Sequence, residues 1–186
     1  MNRPGALIAA LPAVLGFVPE NSLVLVSLDH GELGSVLRVD LSDELVDRVG
    51  HLAEIAAAAA PEAAIAVIVD ADGAHCPQCN EDYRHLSTVL TEALSLHDIV
   101  LWAAHVVDRV ALGGRWHCMD GCGSAGTVDD PSASPLAAAA VLDGRRLFLL
   151  GESRIDLRRS TGEIEKPDAR MEFEGEARPV FNADVP

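Results

Sequence analysis

Two apolar runs separated by a helical stretch limit what this chain can fold into more than any other feature. Ala64-Ile-Ala-Val-Ile-Val-Asp70 carries no polar side chain before its last position, and Ile99 to Val107 is almost as apolar. Strands of this kind have no face fit for water and sit in a sheet covered on both sides. Between them, Tyr83, Leu86, Leu90, Ala93 and Leu94 recur at helical spacing after Asn80, marking one buried helix face. Strand, helix, strand in that order is a βαβ unit, and right-handed crossovers make its strands parallel in ~98% of cases.

The flanks extend this unit. Residues 22–28 and 33–41 read as strands joined at Asp29-His30-Gly31-Glu32, a hairpin. Ser42 is placed to cap a helix whose apolar stripe is Leu45, Val49, Leu52 and Ala56, ended by Pro61. Arg115-Trp116-His117 reads as an antiparallel fifth strand. Ser134-Pro135 opens a helix that Gly144 closes, Leu147–Leu150 is a last short strand, and one helical turn at most follows Glu152. The expected fold is a single α/β domain over residues 1–155, a mixed, mostly parallel sheet of about five to six strands flanked by helices. Residues 156–186 form an acidic, proline-containing arm or tail, which offers a route to homo-oligomerisation by docking on a neighbouring subunit.

A chain of 186 residues can bury a core without staples. Its net charge is −15 and Lys166 is its only lysine. A nucleic-acid backbone would be repelled by that field, and a P-loop has no lysine to use. Residues 6–18 look like a signal core, but Pro12 interrupts them and no small-residue cleavage site follows. A bilayer takes ~20 apolar residues, so this run reads as a core helix between Pro4 and Gly16 and no membrane contact is expected. The expected compartment is cytoplasmic, where four cysteines mean thiols or metal more often than disulfides.

In open sheets ligands gather beyond the carboxyl ends of the parallel strands. Those ends carry Asp40, Asp70 with Asp72, and Asp108; the first strand starts at the same edge with Glu20, Asn21 and Ser22, and the fifth with Arg115. Such an edge suits a hard cation such as Mg²⁺, or a small polar ligand gripped by Arg115. The ordinary alternative is that Asp favours strand ends and helix caps.

Cys76-Pro-Gln-Cys79 stands between strand and helix, with His75 beside it, in the setting that makes a redox thiol nucleophilic. Five residues separate it from Asp70, and no proline is placed to face the thiols. With Cys118-x3-Cys122 it suggests a four-cysteine zinc site. Topology disfavours that arrangement, because the two pairs are expected on opposite edges of the sheet, roughly 27–30 Å apart. One pair recruiting His75 or His117 is the surviving zinc option. Gly121-Cys-Gly-Ser-Ala-Gly126 matches a dinucleotide fingerprint, but Thr-Val-Asp-Asp-Pro after it cannot open the required helix, so it reads as a loop. Trp102 and His105 lie in a strand and read as core.

Several segments in order resemble one family: Leu11 to Val24 (LPAVLGFVPENSLV), Arg38-Val-Asp-Leu41, Gly113-Gly-Arg-Trp116 with Cys118, and Asp129 to Arg145 (DDPSASPLAAAAVLDGR). Together they look like the actinobacterial domain-of-unknown-function family 4192, over about residues 7–155. The resemblance implies a cytoplasmic protein without an assigned reaction, and makes residues 7–18 part of the domain. Glu20, Ser22, Arg38, Asp40, Arg115, Trp116, Asp129, Asp130, Ser134 and Arg154 fall on its polar positions. The Cys-Pro-Gln-Cys segment departs from the family pattern.

The function expected from these features is a non-catalytic, ligand- or protein-binding regulatory module. Its candidate site residues are Glu20, Ser22, Arg38, Asp40, Asp70, Asp72 and Arg115, and it has no cofactor. Two alternatives stand beside it: a Mg²⁺-assisted hydrolase using the Asp cluster, and a thiol-redox or zinc protein using His75, Cys76, Cys79, Cys118 and Cys122.

Overall fold

A computed structural model describes residues 3–135. The expected helix after Ser134, the strand Leu147–Leu150, Arg154 and the acidic arm lie outside them. The elements are α1 (Pro4–Leu15), β1 (Ser22–Asp29), β2 (Glu32–Asp40), α2 (Leu45–Ala57), β3 (Ala63–Val69), α3 (Pro77–Ser95), β4 (Val100–Val107), β5 (Arg115–Cys118) and β6 (Ala125–Thr127), with 3₁₀ turns at Gly73–His75 and Pro131–Ala133. The fold class is the expected one, a mixed α/β sheet flanked by helices.

The strand order is β2-β1-β3-β4-β5-β6. β1 is antiparallel to both β2 and β3, β3 is parallel to β4, and β5 and β6 return antiparallel. β2, β3 and β4 therefore point one way, as the crossovers require, but β1 lies between β2 and β3. Asp40 stands at the outer end of the shared edge as a result, two strands from Asp70.

Period-two alternation divides the apolar side chains between two cores. Val24, Val26, Leu28, Val36, Ile65, Val67 and Trp116 pack under α1. Leu23, Leu25, Leu37, Ala66, Ile68, Ala104 and Val106 pack under α2 and α3. Ile8 and Leu11 of α1 are almost wholly buried, so the apolar run near the start is a core helix. The αL residue Gly16 (φ 84°) ends it, donating its N–H to Pro12 O at 2.9 Å. Among the described residues no helix is long and apolar enough to cross a membrane.

Four local expectations change. Ser42 supplies its backbone carbonyl, not its side chain, to Leu45 N–H, and α2 starts at Leu45 without a side-chain cap. α3 starts at Pro77 instead of after Asn80, because a proline with no N–H to satisfy fits the first helical position. The segment read as loop through Gly126 contains β6, paired to β5 at three positions. Trp102 is 57% exposed rather than core, because β5 covers only the far half of β4.

Candidate functional site

At the β1–β2 end of the carboxyl edge, Arg38 gathers the expected residues. Its guanidinium pairs with Asp40, donates to the Glu20 carbonyl at 3.3 Å and lies over the Phe17 ring, 5.9 Å from its centroid. The Arg38 side chain is only 12% exposed, so its charge is consumed locally. Ser22 is fully buried beside it on the same face, and its hydroxyl, like Arg38 Nε, has no hydrogen-bond partner among the described residues.

Asp70 lies on the opposite face. The Tyr83 hydroxyl donates to it, and Asp72 N–H donates to Oδ1 at 3.0 Å. Burial works to raise its pKa, but the Tyr83 hydroxyl and the N–H groups of Gly73 and Asp72 hold it below the ordinary carboxylate range. A Cβ at Gly73 would lie 2.2 Å from the Asp70 carboxylate and 2.4 Å from the Tyr83 oxygen, so any other residue there would make one of these side chains shift. Asp40, Asp70 and Asp72 thus share an edge without sharing a centre; among the described residues they form no three-ligand group.

At the β4–β5 end the arrangement is open. Asp108 is buried and accepts Arg115 N–H at 2.8 Å and Arg109 Nη1 at 3.2 Å. His75 Nε2 stands 3.8 Å from it. The Arg115 side chain is exposed and makes no ion pair or hydrogen bond among the described residues. His117, one strand step beyond Trp116, meets Asn80 Oδ1 at 2.8 Å. Burial first, then the positive surroundings of His75 and Arg84, hold its pKa below the usual imidazole range. His75, Arg115 and His117 line one face of a cavity of ≈ 390 Å³ bounded by Trp116 and Ala125–Thr127.

The thiols form two separate pairs. Cys76 caps α3, its sulfur accepting Cys79 N–H at 3.2 Å. The Cys79 thiol first, and its N–H second, lower the Cys76 pKa, while the same contact raises that of Cys79. Cys118 pairs across the ladder with His105, and Trp116 with Val107. Cys118 therefore faces the α1 side, while His117 faces α3. The expected reason for keeping the pairs apart needs correcting. β5 is only four residues long and pairs with the last three of β4, so Cys118 is not at the far edge. The body of the sheet separates the pairs instead.

The Tyr83 hydroxyl escapes the sequence reading: its helical spacing marks it as part of a buried stripe, yet it meets Asp70. His117, expected only as a zinc option, is set instead against Asn80, a contact that the fold alone shows. Asp130 accepts Ser132 N–H at 2.9 Å and closes a turn.

The family model described as "Domain of unknown function (DUF4192)" matches residues 4–181, and the chain belongs to that family. No curated protein and no solved structure matches it.

Proposed function

We propose that this domain is a non-catalytic binding module that holds a small anionic ligand, or an acidic group of a protein partner, in the cleft of His75, Arg115 and His117. The observation that carries this reading is the contrast in charge use along one edge. Asp40, Asp70 and Asp108 are each engaged internally, while the Arg115 guanidinium is unspent among the described residues, beside two imidazoles. A chain of net charge −15 has few places where an anion is favoured. A planar guanidinium suits a carboxylate or phosphate bidentately. The free thiols of all four cysteines are in keeping with a cytoplasmic setting.

A thermal-shift screen with phosphate and with mono- and dicarboxylates tests this, because a specific ligand raises apparent stability by mass action. A saturable rise that Arg115→Ala removes supports the reading. Equal shifts in the variant and the parent protein overturn it.

A second reading, thiol–disulfide exchange, is favoured by one observation: Cys76 occupies the N-cap of a 19-residue helix with its pKa lowered. In that chemistry the Cys76 thiolate attacks the disulfide of an oxidised partner and releases one of its sulfurs as a thiolate. Cys79, losing its proton to solvent, then attacks Cys76 Sγ in the mixed disulfide, so that the partner's second sulfur leaves as a thiolate and a Cys76–Cys79 disulfide remains. Alkylation followed against pH decides it; faster reaction at Cys76 than at Cys79 near neutrality supports it, and equal rates refute it.

A further inference from the structure

The β5–β6 hairpin carries a second constellation, on the opposite face from Cys76 and Cys79. Cys118, Asp120 and Cys122 each offer one ligand atom, and these atoms lie within 4.8 Å of one another. Asp120 and Cys122 are exposed and Cys118 is half-buried, so the group is open to solvent on one side. His105, the cross-strand partner of Cys118, stands next to the group on the same face, outside the 4.8 Å set. His105 is only 5% exposed, and its Nδ1 has no hydrogen-bond partner among the described residues. Its ring packs edge-on against Trp116, 5.2 Å between centroids, which limits how it can turn. A buried imidazole nitrogen without a partner is unusual, because burial removes the water that would otherwise satisfy it.

We propose that this hairpin binds a thiophilic divalent cation of the zinc class through Cys118, Asp120 and Cys122, with His105 Nδ1 as the fourth donor. Two sulfurs, one imidazole nitrogen and one carboxylate oxygen are a zinc-type set, and the thiolates disfavour Mg²⁺ and Ca²⁺. Sulfur ligands at ~2.3 Å from a tetrahedral centre lie roughly 3.8 Å apart. The ligand atoms already lie within 4.8 Å of one another, and the loop that would adjust them contains Gly121 and Gly123, both at positive φ (76° and 77°). On binding, the thiol protons of Cys118 and Cys122 pass to solvent and the sulfurs bind as thiolates. The cation would fix the turn after β5 and tie it to β4 through His105, next to a β6 that contributes only three residues to the sheet.

The test is Co²⁺ titration of the full chain, reduced and stripped with chelator, followed by absorption. One equivalent should give a thiolate-to-cobalt charge-transfer band that zinc bleaches. Cys122→Ser, an exposed position where folding is safe, should abolish the band. His105→Gln should weaken binding about tenfold or more. The Cys76→Ser/Cys79→Ser double variant should bind as the parent does. Absence of the band in the parent, its persistence in Cys122→Ser, or its loss in the Cys76/Cys79 double variant each overturns the assignment. The outcome is independent of anion binding, which the Arg115 variant reads separately.

Discussion

The two ends of the carboxyl edge use similar residues to opposite effect. Around β1 and β2, Arg38 is enclosed by Asp40, the Glu20 carbonyl and the Phe17 ring, leaving a closed polar knot. Around β4 and β5, the arginine is exposed, and it is the carboxylate, Asp108, that is buried and satisfied by a backbone N–H. An arginine at a strand end is therefore not a binding group by position. What decides is whether the chain already supplies its counter-charge.

The largest expected effect breaks or confirms that contrast directly. Arg38→Ala should cost about 2 kcal/mol, mainly through lost packing of its buried stem, because the half-exposed Asp40 loses little when unpaired. Arg115→Ala should change stability by less than about 0.5 kcal/mol, as at other exposed positions. Equal losses in denaturant unfolding would erase the distinction between the two ends.

Next comes the carboxylate of the open end. Asp108→Asn should destabilise by about 1–2 kcal/mol, because an amide is a weaker acceptor for the Arg115 N–H and leaves its own NH₂ to be satisfied in a buried site. No change in melting temperature would mean that the β4–β5 connection does not depend on this carboxylate.

Smaller still is Ser22→Ala. Its buried hydroxyl has no partner among the described residues, so removal should be neutral or stabilising by up to about 1 kcal/mol. A clear destabilisation would show that this hydroxyl has a partner at the closed end after all.

The smallest effect lies between the two ends, at Asp70. Its folded pKa is lowered below that of the unfolded chain, so the folded state binds the proton less readily. The stability it contributes is present above the unfolded pKa, near ~3.9, and fades as pH falls below that value through the folded pKa. Acid unfolding of Asp70→Asn should show a shallower dependence on pH in that range; an unchanged slope would remove Asp70 from the account.

Much of the architecture could be read from residue order. The uninterrupted apolar runs at 64–69 and 99–107, and the helical spacing from Tyr83 to Leu94, required a covered parallel pair with one crossover. The hairpin at His30-Gly31 was equally plain, since both residues adopt the positive φ (49° and 82°) of a tight turn. The site was less legible. That Arg115, His75 and the strand ends belong to one edge followed from topology, but strand alternation alone does not say which carboxylate will find an internal donor. The length of β5 misled the thiol argument, because a nine-residue strand and a four-residue strand look alike when glycines follow.

Sequence alone determined that this chain builds an α/β sheet with covered faces, and which ends of its strands share an edge, because periodicity and crossover handedness are local and chiral constraints. Tertiary structure decided the insertion of β1 between β2 and β3, the enclosure of Arg38, the exposure of Arg115, and the placing of His105 behind Cys118. Those outcomes depend on distances between residues far apart in the chain. A charge is spent or free according to what the rest of the fold brings within about 4 Å of it, and no spacing in the sequence records that.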